Sequence, residues 1–311
     1  MVHPLPARRR VGVIGAGRVG AVLASALRTA GHEIVSVAGE SQASRGRIAA
    51  LLPGVTVAKP TAVARSCEVL LLTVPDDMLA NVVTTLADAG ALHEGQYVVH
   101  TSGRHGLAVL APATAAGAHA VALHPAMTFT GTAVDLDRLG AAAGEGCVFG
   151  LTAATPADRV FAEALVADLG GRPMWVPEEM RTLYHAGLAH GANHLVTLVT
   201  EAMEILAAAG ASDPAGTLRP LLNAALENAL TQSDAALTGP IVRGDAGTVA
   251  AHLEDIVANA PQTLPSYVAM ARATLDRVLA DGRLLPIRAQ KISRLLDAAE
   301  ASQPVPVREY R

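Results

Sequence analysis

The feature that most narrows the fold is a glycine fingerprint set between a strand signal and a helix signal. Arg10–Gly15 (RVGVIG) is a short, apolar, β-branched run, and Val19–Ala30 reads as a helix that ends at Gly31. Between them lies Gly15-Ala16-Gly17-Arg18-Val19-Gly20. In that setting each glycine has a task. The first makes a tight turn, the second lets backbone approach a pyrophosphate, and the third lets the helix pack on the strand. The helix N-terminus then points its free N–H groups at the phosphates. The spacing predicts a dinucleotide cradle over Gly15–Gly20.

The rest of the first half keeps the same alternation. Strand signals recur at Glu33–Val37, Val55–Val57, Cys67–Val74, Gln96–Thr101, Ala120–His124, Cys147–Leu151 and Pro173–Val176. Helical stretches such as Ser44–Leu52 and Pro156–Leu169 lie between them. This pattern implies a parallel sheet with crossover helices. Beyond Pro177 only helical signals remain, near residues 179–209, 214–235, 245–259, 263–281 and 286–300. The expected architecture is α/β: a doubly wound Rossmann domain over 1–177, then an all-α domain over 178–311, with Gln303–Arg311 as a tail.

Composition excludes several classes. Half of the 311 residues are hydrophobic, 17% are charged and the net charge is −4. Such a chain builds cores and lacks the basic footprint of a nucleic-acid binder. Cys67 and Cys147 form no CxxC, which fits a reducing cytoplasm rather than a disulfide scaffold. No signal peptide is evident. The uncharged run 182–200 has about the length of a membrane span, but it carries His185, His190, Asn193 and His194, which are costly in lipid. It is expected to be a helix buried inside a soluble protein. Lys59 and Lys291 are the only lysines, so a mechanism needing a lysine has two candidates.

Strand ends supply the candidate site. Glu40 lies 20 residues beyond Gly20, where an acid often holds an adenosine ribose, while Ser41, Arg45 and Arg47 follow and could take a 2′-phosphate. The cofactor is left as NADP or NAD, with the arginines tilting towards NADP. Thr73-Val74-Pro75-Asp76 closes a strong strand and is expected to line the cofactor cleft. Ser102 and Gly103, after His100-Thr101, could anchor a substrate carboxylate, with Arg104 as a second anchor. His124 stands at another strand end. On the first helix past the boundary, His190, Asn193, Thr197 and Glu201 fall within about an 80° arc. A polar stripe on an otherwise apolar helix suggests a cleft or a ligand. His190 and His194 have metal-ligand spacing, but no nearby acid completes a metal motif, and no metal is expected.

The stretches VGVIGAGRVGAVLASAL, HTSGRHGLAVL, LHPAMTF, LYHAGLAHGANHLVTL and LTGPIVRGDAGTVAAHL together resemble Rossmann-like oxidoreductases with a C-terminal domain of unknown function (DUF2520). Their wider kin are 6-phosphogluconate dehydrogenase-like proteins, among them pyrroline-5-carboxylate and ketopantoate reductases. The resemblance implies a helical C-terminal domain that often makes a homodimer. It also implies a Lys-x-x-x-Asn pair in which Asn193 fills the Asn role, but Ala189 stands where the lysine would be. Arg181 occupies a place where a lysine is common in the closer family, and it can bind a carboxylate but not donate a proton at neutral pH.

The expected activity is NAD(P)H-dependent reduction of a small carboxylate-bearing ketone or imine, for which the resemblance suggests ketopantoate-like chemistry. Asn193 would orient the carbonyl, His190 or His124 would give the proton, and Ser102, Gly103, Arg181 and Thr197 would hold the substrate. The rival expectation, prompted by the missing lysine, is a regulatory or redox-sensing protein that binds NAD(P) without turnover.

Overall fold

The computed structural model describes residues 8–140 and 146–301, so the expected tail Gln303–Arg311 lies outside the described residues. The chain divides into two compact units, one up to Ala189 and one from His190. In the first unit, β1 (Arg10–Ile14), β2 (Glu33–Ala38), β3 (Val69–Leu72), β4 (Tyr97–His100), β5 (His119–Pro125), β6 (Val148–Ala153) and β7 (Arg172–Trp175) form one sheet. Its order is β2-β1-β3-β4-β5-β6-β7. β1 pairs in parallel with both β2 and β3. The winding therefore reverses at β1, and that switch point opens a crevice beyond the strand carboxyl ends.

Helices α1 (Arg18–Thr29), α2 (Gln42–Leu51), α3 (Pro60–Arg65), α4 (Asp76–Asp88), α5 (Ala111–Ala115), α6 (Val134–Leu139) and α7 (Pro156–Asp168) belong to this unit. Leu23 and Leu27 of α1 and Leu165 of α7 share one core with Val69 and Leu71 of β3. Leu79, Val83 and Leu86 of α4 share the other with Leu70 and Leu72. Side chains alternate across a strand, so the unbroken run Val-Leu-Leu-Leu serves two cores at once.

Two strand expectations change. Val55–Val57 makes only a single bridge, Val57 to Val37, because it lies outside the edge strand β2 with Val57 about half exposed. The sheet is also not wholly parallel, since β6 runs antiparallel to β5. The chain re-enters the sheet from the end it left. α7 then provides a true crossover, and β7 is parallel to β6.

α8 (Arg181–Ala208) starts in the first unit and continues into the second, which also holds α9 (Pro214–Gln232), α10 (Pro240–Arg243), α11 (Ala246–Asn259), α12 (Leu264–Ala280) and α13 (Pro286–Ala301). Val249 and Leu253 of α11, Val268 and Leu275 of α12, and Ile292 and Leu296 of α13 form the core of the second unit. Asp245 caps α11, its carboxylate accepting the Thr248 N–H at 3.1 Å. The run 182–200 departs from expectation. Residues 190–198 are all exposed, and Arg181 is the only buried residue that α8 contains. α11, α12 and α13 bury their apolar faces on one another, and α9 contributes no buried residue either. Among the described residues, no helix is long and apolar enough to cross a membrane.

Candidate active site

The glycine turn is built as its spacing requires. Gly15 has φ +100°, and its N–H and that of Ala16 both donate to the Ala38 carbonyl at 3.0 Å. A Cβ on Gly15 would strike the Thr73 backbone, and one on Gly20 would strike Thr73 Oγ1 and the Gly15 carbonyl. Thr73 Oγ1 donates to that same carbonyl at 2.6 Å, which ties the end of β3 to the turn. Gly17 differs. A Cβ there would meet only the Gly15 carbonyl oxygen, at 3.8 Å. Protein packing does not forbid a side chain at Gly17, so the open space above it fits a phosphate drawn close to backbone. α1 begins at Arg18 with Gly17 as its cap, and no side chain satisfies its first N–H groups. With those of Arg18 and Val19 among them, these groups form a cradle suited to a pyrophosphate, while the Ala16 N–H is already spent on the Ala38 carbonyl.

The neighbouring cofactor candidates sit around this turn. Val74 and Pro75 follow Thr73 and lead into α4, whose first turn carries Asp76 and Asp77. Glu40 is exposed two residues beyond the end of β2. Ser41 caps α2, its Oγ accepting the Ser44 N–H at 3.1 Å. Arg45 is exposed on the first turns of α2, and Arg47 is half buried against Gly131.

A second group of residues gathers at the carboxyl ends of β4 and β5. His100 is wholly buried, its Nε2–H donating to the Gly106 carbonyl at 2.9 Å and its Nδ1 accepting the Ser102 N–H at 3.2 Å. His124 is opposite Gly150 across the β5–β6 pair. Its Nδ1 lies 2.9 Å from Tyr184 Oη, and its Nε2 faces Gly103. Tyr184 lies over Gly150, and the His185 ring meets Gly103 and approaches His124 edge-on, centroids 5.8 Å apart. Burial, reinforced by the charges of His185 and Arg181, holds the His124 pKa down to about 4. Burial pulls His100 down to about 4 as well. Both imidazoles are neutral near pH 7. Burial raises the Tyr184 phenol above its ordinary value, so it keeps its proton there.

This arrangement revises several expected roles. Arg181 is fully buried, and its guanidinium donates to the Ser102 carbonyl at 2.7 Å, Thr152 Oγ1 at 3.0 Å and the Gly150 carbonyl at 3.4 Å. It pins α8 to β4 and β6 instead of meeting a substrate. Ser102 spends its carbonyl on Arg181 and its amide on His100, and its Oγ accepts the His105 N–H at 3.1 Å. Gly103 is buried under two histidine rings. Arg104 pairs with Asp76 at 3.5 Å. A neutral His124 is a poor acid by itself, and the phenol beside it is the group with a proton to give. Tyr184 and His185 are not among the expected site residues, since the polar stripe begins beyond them at His190. Their signal was the Arg181–Tyr184–Leu188 spacing, which places all three on one helix face.

The expected stripe belongs to the second unit. His190, Asn193 and Thr197 are exposed there, while Glu201 accepts a hydrogen bond from Ser266 Oγ at 2.9 Å. His190 Nδ1 and His194 Nδ1 are 2.8 Å apart, one turn from each other.

Comparison with known proteins agrees with this architecture. A Rossmann-like domain model matches residues 3–125, and the model described as a domain of unknown function, DUF2520, matches residues 147–274. No curated protein matches the chain. A Bacteroides fragilis structure, provisionally assigned as an NADP oxidoreductase, aligns with TM-score 0.72 at 20% identity over 86% of this chain and 98% of its own. An imine reductase from Pseudomonas sp. aligns with TM-score 0.58 at 17% identity, covering 95% of each chain. A Plasmodium falciparum pyrroline carboxylate reductase with NADP bound aligns with TM-score 0.55 at 12% identity over 92% of this chain and 98% of its own. Identities this low establish a shared fold. The chain thus matches a Rossmann-like model over its first part and the DUF2520 model over most of the rest.

Proposed function

We propose that this protein is an NADPH-dependent reductase of a ketone or imine that bears a carboxylate. One observation carries the reading: a half-buried tyrosine–histidine pair, Tyr184 Oη to His124 Nδ1 at 2.9 Å, stands at the carboxyl end of β5 in a sheet whose switch point has a glycine turn suited to phosphate. Arg45 and Arg47 beyond β2 favour the phosphorylated dinucleotide over NADH. The Bacteroides, Pseudomonas and Plasmodium proteins support the class of reaction, since their descriptions name NADP, imine reduction and pyrroline carboxylate reduction.

The cradle Gly15–Gly20 would hold the pyrophosphate, with Thr73–Pro75 beside it. When bound, the cofactor supplies hydride. The chain's own residues manage the proton. Tyr184 hands its hydroxyl proton to the carbonyl oxygen or imine nitrogen as negative charge develops there. His124, neutral at working pH, re-protonates the phenolate from Nδ1 while taking a proton at Nε2. His100 and Arg181 fix the loop and the helix that aim this pair. A lysine is not needed. The exposed apolar length of α8 supports a homodimer that covers it, with His190, Asn193 and Thr197 facing the covering copy. Free, buried Cys67 and Cys147 suit a reducing cytoplasm.

The test is titration with NADPH and NADH, then a panel of 2-oxo acids, ketopantoate included, and cyclic imines. Tyr184→Phe should lower kcat by roughly 10²-fold with little change in KM. Full turnover by Tyr184→Phe would remove the proton assignment. Tight NADPH binding with no consumption across the panel would leave the regulatory, non-catalytic alternative.

A further inference from the structure

The groups first expected to hold a carboxylate are spent on the protein, so the anchor must lie elsewhere. Beside Tyr184 the first unit has a recess of about 550 Å³, a size usual for small-ligand sites. Its wall is apolar: Met127, Val148, Met174 and Leu188, with the Tyr184 ring. These residues come from the loop after β5, from β6 and β7, and from the face of α8 that also carries Arg181. At its rim stands Arg138 of α6, exposed and without an ion-pair partner among the described residues. Met174 is 46% exposed and Leu188 half buried. Exposed thioether and aliphatic surface next to a reactive phenol and a lone cation has a simple complement.

We infer that this recess is the substrate subsite, and that the substrate is an amphipathic oxo acid or imino acid. Its apolar chain lies along Met127, Met174 and Leu188, its carboxylate pairs with Arg138, and its carbonyl oxygen or imine nitrogen is presented to Tyr184 Oη. The inference rests on the reductase reading and adds substrate class and anchor to it. Charge complementarity picks the anion: among the described residues, the only charged side chain in the lining is the arginine. A guanidinium at a rim can take both carboxylate oxygens. The apolar wall sets a preference for chain length, since each methylene that leaves water adds roughly fourfold in affinity.

Binding, not turnover, is the decisive measurement. The full-length protein would be titrated calorimetrically with 2-oxo acids from 2-oxobutanoate to 2-oxooctanoate, and with neutral 2-octanone. Affinity is expected to climb by roughly fourfold per methylene. Arg138→Gln should weaken every acid by about tenfold or more and leave 2-octanone unchanged. Met174→Trp, at a half-exposed position that tolerates bulk, should flatten the chain-length ladder by filling the recess. A flat ladder in the parent protein, or an Arg138→Gln variant that binds the acids equally well, overturns the inference. So does a recess covered by a second copy, seen as Met174→Trp dissociating an oligomer without touching acid affinity. A ladder without any NADPH consumption would sink the reductase reading and leave the subsite standing. Consumption without a ladder would do the reverse.

Discussion

Gly17 and Gly20 stand three residues apart in one turn, yet they are glycines for different reasons. A Cβ at Gly20 runs into Thr73 and the turn itself, whereas one at Gly17 meets open space. Gly20→Ala should therefore cost about 1–3 kcal/mol of stability through overpacking. Gly17→Ala should change stability by less than about 1 kcal/mol and weaken NADPH by about tenfold or more, as bulk enters the phosphate approach. Thermal melts with and without cofactor separate the two. The motif itself was legible in the sequence, but the division of labour inside it was not, because it depends on where Thr73 comes to lie. Arg181 makes the same point. Its position in the sequence suggested a carboxylate anchor, but burial turned it into a brace between Ser102, Gly150 and Thr152. Arg181→Met should lower stability by about 2–3 kcal/mol, the usual worth of charge-assisted bonds. Arg181→Lys should recover little of it, since an ammonium lacks the planar fork. Chemical denaturation of the three proteins checks both statements.

At the scale of elements, α8 is the part that sequence reading misjudged most usefully. Its periodicity and composition correctly announced a helix with polar residues on one arc. The same composition implied burial, since a helix apolar nearly all round is normally covered. Within one chain it is not: Val196 is 67% exposed, and Leu221 and Leu230 of neighbouring α9 are 65% and 75% exposed. Sequence establishes that such a surface wants a cover but cannot say which chain provides it. If a second copy does, sedimentation should show a dimer at micromolar concentration, and Val196→Asp with Leu230→Asp should give a monomer that keeps its helical content. A parent protein that stays monomeric would dismiss the homodimer. The reversal of β6 is an element-scale result too. The strand was visible in its residues, but its direction is set by its pairing with β5, which those residues do not contain.

At the scale of the whole molecule, the buried histidines link stability to pH. His100 has its folded-state pKa lowered to about 4, below the ordinary value near 6.5. The unfolded chain therefore binds the extra proton first as pH falls. Stability is fully present above pH 6.5 and declines between there and about 4. For wholly buried His100 the loss at pH 4 is on the order of 3 kcal/mol. His124, lowered to about 4 and partly exposed, adds to the decline over the same window. Denaturant midpoints measured across that window should fall with acid, and His100→Asn should flatten the slope. What sequence alone determined is the α/β alternation, the switch to helices after Pro177, the phosphate cradle and the clustering of polar groups at strand ends. Those follow from local periodicity and from backbone needs that only glycine meets. The tertiary structure decided which polar groups are spent and which are free. It put Tyr184 on His124 across 60 residues of chain, silenced Arg181 by burial, and left Arg138 open beside an apolar recess. Burial and hydrogen-bond partnership are properties of packed surroundings, and no window of sequence contains them.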